Sequence, residues 1–412
     1  MPAFAGMTLA ACLSCKIKNI CLLGRMKSAI KSLLVTTWIV ILTFGALELG
    51  ARVAFQSKLV PETLMPVLNA LLSDNNRSYT TGSLVGGGSA ADIAPRPYYL
   101  YINAPLSSTK AGQQVTPDGY RNGQESIKPD FKGLRILAIG GSTTYGWLLE
   151  DYHEAWPAQL EVLLKKQFSF PIQVVNAGLP AGTSAELLVA YALRDQFIKP
   201  DIVIIHNGGN DAQPLYYADY RPDYATFRTT VKGAVSIRPG EREILKLSAL
   251  ARLLYGVWLK DQNLGSIQTQ PTDTPGTNLS IANVRRNEPI GFERNMNSLV
   301  TLIKAHGGQP ILFPFHLAEK NVFDQLSEGM RYAEKTYVPL EMGLEKNKTV
   351  LRKLAQRERL PIYELPKRSI PTDDFFDHCH LKAHGETVKA TFLAKNLIPM
   401  IEKVARENKL SR

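Results

Sequence analysis

Three apolar runs constrain this chain most. Residues 134–139, 172–175 and 201–205 are rich in Ile, Val and Leu, and each breaks off at a turn bearing glycine or asparagine. A strand wetted on one face alternates apolar and polar residues. A continuous apolar run of this length fits a strand buried on both faces, as in a parallel sheet. Residues 310–315 and 361–365 repeat the pattern. Stretches with helical spacing separate the runs at about 156–168, 185–197 and 292–305. The second opens on the capping box Thr183-Ser184-Ala185-Glu186, and Gly307-Gly308 closes the third. Alternation of this kind predicts an α/β fold, a doubly wound, mostly parallel five-stranded sheet between helical layers. In such sheets, sites gather at the carboxyl ends of the strands.

The chain has 412 residues, room for one large domain and an appendage. Its net charge of +11 is unevenly spread, because residues 1–31 hold Lys16, Lys18, Arg25, Lys27 and Lys31 and no acid. A basic tail of that kind argues against nucleic acid as a partner. Residues 32–47 follow without a charge. That run is slightly short of the ~20 residues a bilayer core takes. Lys31 can snorkel at one end, however, and apolar residues resume past Glu48 and Arg52. Basic residues on the leading side predict a cytoplasmic N-terminus and an exported remainder, and no small-x-small cleavage site follows the run. The expected organisation is a basic cytoplasmic tail (1–31, with Met26 as an alternative start), a transmembrane signal anchor (32–55), a stalk (56–95) and a large domain (96–412). This predicts a single-pass membrane protein with its large domain exported. Cys12, Cys15 and Cys21 precede the anchor and Cys379 stands alone after it, so no internal disulfide braces the large domain. Residues 213–289 interrupt the alternation and open on Tyr216, Tyr217, Tyr220, Tyr224 and Phe227. Such an insertion reads either as a lid or binding loop, or as a packing subdomain over one sheet edge.

Four short segments carry the chemistry: Gly140-Gly141-Ser142-Thr143, Asn176-Ala177-Gly178, Gly208-Gly209-Asn210-Asp211 and Asp377-His378-Cys379-His380. Each has a plain structural reading as a turn, a cap or a surface pair. Together, three of them at strand ends and in this order, they supply what a serine esterase needs. A serine hydroxyl is a weak nucleophile and requires an adjacent base. His380 can take the proton of Ser142, and Asp377 can fix the tautomer of the imidazole. The charge that acyl transfer builds on a carbonyl oxygen needs donors, and the backbone amides of Ser142 and Gly178 and the Asn210 side chain can supply them. Gly178 is expected to leave room for the substrate, and Asp211 to hold loop amides as a structural support. His378, His380 and His384 with Cys379 and Asp377 also carry metal-ligand spacing. The triad already employs Asp377 and His380, so no metal and no cofactor is expected. His206 reads either as buried or as lining the pocket.

These residues resemble the SGNH (GDSL-like) hydrolases, whose motifs match Ser142, Gly178, Asn210 and Asp377 with His380. The membrane-anchored bacterial branch is more similar still, through Asp118-Gly119-Tyr120-Arg121 and Gly140-Gly141-Ser142-Thr143. The resemblance covers about residues 96–400 and implies the flavodoxin-like three-layer fold of that family. Gly141 departs from it, standing where the signature has Asp, a change expected to touch local packing more than activity. The implied function is hydrolysis of an acyl ester, O-acetyl on a cell-envelope glycan, with Tyr216 and Tyr217 offering faces to sugar rings. The same triad would serve an O-acyltransferase acting on a polysaccharide, and a third reading is a non-catalytic envelope scaffold.

Overall fold

The computed structural model of the chain describes residues 5–57, 59–60, 82–83, 92–96, 98–228, 244–245, 247–261, 275–326 and 337–410. It falls into two compact units, Met1–Asn76 with Ser236–Gln262, and Arg77–Val235 with Asn263–Arg412. Residues 236–262, expected inside an insertion of the large domain, thus group with the N-terminal helix. Of the expected stalk (56–95), residues 58, 61–81 and 84–91 lie outside the described residues.

The N-terminal unit begins with α1 (Ala5–Gln56), which runs unbroken through residue 31. Its stretch Ile30–Gln56 is long and apolar enough to cross a membrane, and residues 30–47 are exposed throughout.

In the larger unit, β1 (Leu134–Gly140) leads into a short helix α2 (Ser142–Tyr145) and then α3 (Trp156–Lys165). β2 (Ile172–Gly178), α4 (Ser184–Leu193) and β3 (Ile202–His206) follow. Glu186 reaches back to the Thr183 amide at 2.8 Å and to its hydroxyl at 2.6 Å, the expected capping box. The chain then visits the N-terminal unit, where α5 (Ala249–Asp261) packs along α1. It continues through α6 (Thr277–Arg286), α7 (Ile290–Ala305), β4 (Gln309–Leu312), α8 (Tyr337–Glu358) and α9 (Ala383–Glu407). Gly307, with φ +83°, ends α7, and the Gly308 amide bonds back to the Ile303 carbonyl at 3.0 Å.

The strands form a parallel four-stranded sheet in the order β2-β1-β3-β4, with β1 in register so that Gly140 lies beside both Gly178 and His206. The fifth expected strand shrinks to a single bridge between Leu312 and Ile362. Pro361 has no amide to donate and contributes only its carbonyl, to Leu312 at 3.0 Å. The sheet is buried on both faces. Leu134, Ile136 and Ala138 pack with Leu160 of α3 and Leu393 and Leu397 of α9. Leu137 and Ile139 pack with Leu187 of α4 and Phe292 and Met296 of α7. Uninterrupted apolarity in the runs is therefore a consequence of helices on both sides. Within the insertion, α6 packs against α8 and against the 3-10 helix Asn210–Tyr216.

Asp211 locks the loop after β3. Its carboxylate accepts the Ser184 amide at 3.0 Å, the Ser184 hydroxyl at 2.5 Å and the Tyr224 hydroxyl at 2.8 Å. Burial pushes its carboxyl up to about 6 despite these bonds. A carboxyl raised in the folded state adds stability that is fully present below its unfolded value near 3.8 and is lost as pH rises through about 6. Asp211→Asn removes that gain. In urea denaturation, wild type should pull ahead of Asp211→Asn by on the order of 1–3 kcal/mol between pH 7 and pH 4. A pH-independent difference would refute this reading of Asp211.

A second test concerns packing. A Cβ at Gly178 would fall on the Tyr145 amide nitrogen of α2, backbone that cannot move aside. Gly178→Ala should therefore cost about 3 kcal/mol or more, measured by the same denaturation.

Candidate active site

All three strand-end segments meet on one turn. After β1 the chain passes Gly141, which has extended backbone (φ −83°, ψ −153°), and enters α2 with Ser142 as its first residue. The Ser142 amide has no carbonyl a turn behind it to bond, the ordinary state of a helix start. α2 lasts one turn and closes at Gly146 (φ 79°). It is pressed between neighbours: a Cβ at Gly140 would collide with the Thr144 side chain and the His206 carbonyl.

The fourth segment comes from a tight loop closed by a bridge between Phe375 and Leu381 and by the Phe376 amide bonding the His380 carbonyl at 2.8 Å. The Asp377 Oδ1 accepts the Cys379 and His380 amides at 2.9 and 2.8 Å. Its Oδ2 lies 2.7 Å from His380 Nδ1, and His380 Nε2 lies 2.7 Å from Ser142 Oγ. Burial raises the Asp377 carboxyl, but the charge of His380 and the hydrogen bonds outweigh it and hold the group well below the usual carboxylate range. Asp377 and His380 are both buried, and Ser142 is half-buried. An ionised carboxylate, an imidazole and a hydroxyl in line can pass a proton from the hydroxyl to the ring without protonating the carboxylate.

Asn210 stands beside the serine turn. Its Nδ2 donates to the Gly182 carbonyl at 2.9 Å, leaving a second N–H on the same nitrogen. A Cβ at Gly141 would lie 2.8 Å from that nitrogen, so the glycine that departs from the family signature lets the amide approach the turn. Gly178 differs from expectation. Its amide donates to Asn176 Oδ1 at 3.0 Å. Its missing side chain makes room for the α2 backbone, not for a substrate.

The tyrosine expectation is corrected as well. Tyr216 is 3% exposed and packs in the core with Ala212 and Leu215, so it has no face to offer a ligand, while Tyr217 is half-buried against the same cluster. His384 turns away from the histidine group to bond Asp374 at 2.6 Å. Asp377, His378 and Cys379 keep ligand atoms within 4.8 Å of one another, but both Asp377 oxygens already accept the bonds described above. His206 is buried: its Nδ1 lies 3.0 Å from the Phe313 carbonyl, its ring stacks on Phe313, and burial lowers its pKa well below the ordinary value.

The structure also brings in residues that sequence reasoning missed. Trp147, half-buried, meets the His380 ring edge-on with centroids 4.6 Å apart. Arg121 lies over the Tyr145 ring at 4.3 Å and bonds the Leu149 carbonyl at 2.7 Å, while its amide donates to the Asn176 carbonyl at 2.9 Å. Asn103 donates to the Gly119 and Gly178 carbonyls at 3.0 and 2.9 Å. Behind α2, the buried Lys389 lies 3.4 Å from the Thr143 carbonyl and 3.6 Å from Glu386, which accepts the Trp156 amide at 3.0 Å. The one signal for any of these was Asp118-Gly119-Tyr120-Arg121, noted above only as part of the resemblance. It is a turn, with Gly119 at φ +85°, and it also braces β2.

Among known proteins, the model of the GDSL-like lipase/acylhydrolase family matches residues 138–388. Solved structures similar to this chain include the lipase/acylhydrolase from Enterococcus faecalis, at 17% identity over 65% of this chain and 96% of that one, TM-score 0.36. Est24, a carbohydrate acetylesterase from Sinorhizobium meliloti, is 15% identical over 65% of this chain and 99% of that one, TM-score 0.38. A mutant of Axe2, an acetyl-xylooligosaccharide esterase from Geobacillus stearmophilus, is 15% identical over 66% and 96%, TM-score 0.37. No curated protein matches. With more than half of its length matched by the family model, and with a parallel α/β sheet carrying the matched segments, the chain belongs to the GDSL-like lipase/acylhydrolase family.

Proposed function

We propose that this protein is a serine esterase held at the bacterial inner membrane by α1, with its large unit in the periplasm, and that it removes acyl groups, O-acetyl above all, from a cell-envelope glycan. The observation that carries the chemistry is the 2.7 Å approach of His380 Nε2 to Ser142 Oγ, in line with the 2.7 Å contact of His380 Nδ1 to Asp377. Ser142 Oγ attacks the ester carbonyl while His380 takes its proton. Asp377 stays ionised and stabilises the imidazolium. The oxyanion is received by the Ser142 amide and the second N–H of Asn210. Gly178 would join them only by releasing Asn176. Collapse expels the alcohol, which takes the proton from His380. Water, deprotonated by His380 in turn, then attacks the acyl-enzyme to release the acid and restore the serine.

Support for a glycan substrate shifts from Tyr216 to Trp147, a half-buried aromatic beside the catalytic imidazole on which a sugar ring can stack. Support for the location is the uncharged run 32–47 behind five basic residues and none acidic.

The test is hydrolysis of p-nitrophenyl esters, from acetate to long chains, by the full chain in detergent. Ser142→Ala should lose about 10⁴-fold or more in kcat, and Asn210→Ala roughly 10²–10³-fold. The acetate ester should be cleaved fastest. Equal turnover in wild type and Ser142→Ala would end the serine reading. Acyl appearing on an added glycan in place of free acid would identify a transferase.

A further inference from the structure

The start of helix α5 is tied to α1 by a carboxylate. Glu48 accepts the Ser248 hydroxyl at 2.8 Å and the Ala249 and Leu250 amides at 2.9 Å each, while Arg52 Nε donates to it at 2.8 Å. These are the orphan amides of a helix start, where the macrodipole favours an anion. The cap is thus supplied by a residue some 200 positions away in the chain. Arg52 also bonds the Leu247 carbonyl at 3.0 Å, and Arg252 of α5 lies over the Phe55 ring at 5.2 Å.

The position of Glu48 matters. It follows Lys31 by seventeen residues with no charge between them, a rise of about 26 Å along a helix. Against a hydrocarbon core of about 30 Å, a carboxylate there sits at the far margin of the bilayer, where an unpaired charge is costly. The α5 start meets that demand.

The rest of α5 has two kinds of surface. Ala249 and Gly256 are buried. Leu254, Val257 and Trp258 are 61%, 49% and 50% exposed. On α1, Leu49 and Val53 in the same turns as Glu48 are likewise exposed, as are Trp38, Ile41 and Leu42 further back. Tyr255 and Trp258 lie 5.5 Å apart, aromatic types that favour the headgroup level.

We propose that α5 is a second membrane-contacting element: clipped to the anchor by Glu48, it lies at the periplasmic face of the bilayer with Leu254, Val257 and Trp258 in lipid. The inference rests on the reading of α1 as a retained anchor. The occupant of the apolar face is lipid because that face belongs to the same unit as the exposed apolar surface of α1. A leader removed by cleavage has no use for a cap built from its own last turns.

The experiment reconstitutes the full chain in phosphatidylcholine–phosphatidylglycerol vesicles containing phosphatidylcholine brominated either near the headgroup or deep in the chains, and reads tryptophan quenching. Trp38→Phe should remove most of the deep quenching, and Trp258→Phe most of the shallow quenching. Glu48→Ala should lower the equilibrium constant for docking roughly fivefold, and reduce the shallow quenching due to Trp258 accordingly. Hydrolysis of a soluble ester, unchanged in Trp258→Phe, confirms folding. Shallow quenching equal in wild type and Trp258→Phe overturns the proposal, as it would if a second copy of the chain covered α5. Deep quenching equal in wild type and Trp38→Phe overturns the anchor itself.

Discussion

The serine turn is wedged between two strands with no space for one more carbon. Gly140 on β1 and Gly178 on β2 lie side by side, and a Cβ on either would strike α2 or the neighbouring strand. Because backbone resists displacement far more than a side-chain tip does, this contact fixes where Ser142 stands relative to the sheet. Everything else at the site is arranged around that fixed point. Asn176 Oδ1 holds the Gly178 amide, Asn103 holds the Gly178 carbonyl, and Arg121 spans from β2 to the ring of Tyr145. A nucleophile must sit within a few tenths of an ångström of its base to profit from it, and a loop alone does not provide that.

The electrostatics are divided by depth. Asp377 is buried, and its charge is matched by two amides and an imidazole. On the core side of the sheet end, burial lowers the pKa values of His206 and His316, with the Lys389 charge as the next contribution in each case. The ring placed on Ser142 is His380, held from its other nitrogen by the Asp377 carboxylate. This is the general way that similar side chains receive different roles, by environment and not by type.

Much of this was legible in the chain. The parallel sheet followed from runs without alternation, and residue type singled out Ser142, Asp377 and His380, which the fold brings into hydrogen-bond contact. The capping box at Thr183 was read correctly because it is local. What failed was non-local. The fifth strand needed knowledge of which amides face β4, and Pro361 lacks one. Tyr216 looked available because it opens a tyrosine-rich stretch, yet α6 covers the backbone there, with Asn283 Nδ2 on the Tyr216 carbonyl at 2.7 Å. Gly178 was assigned to the substrate's space when the occupant is Tyr145. Trp147 and Lys389 reach the site across folds of the chain that no spacing rule records.

The long insertion is best understood through its backbone groups. A 3-10 helix leaves carbonyls without partners at its end, and Asn210–Tyr216, which starts at the site, leaves them in the core. Two amides from the far side of the insertion satisfy them: Asn283 bonds Tyr216, and Asn287 bonds the Leu215 and Tyr217 carbonyls at 3.0 and 2.8 Å. On the near side, Tyr224 bonds Asp211, and Arg228 bonds Glu186 at 2.9 Å and the Ala181 carbonyl at 2.6 Å. Both ends of the insertion are therefore stitched to the loops that carry Asn210 and Gly182. Restraints on Asn210 thus come from both of these stitched ends.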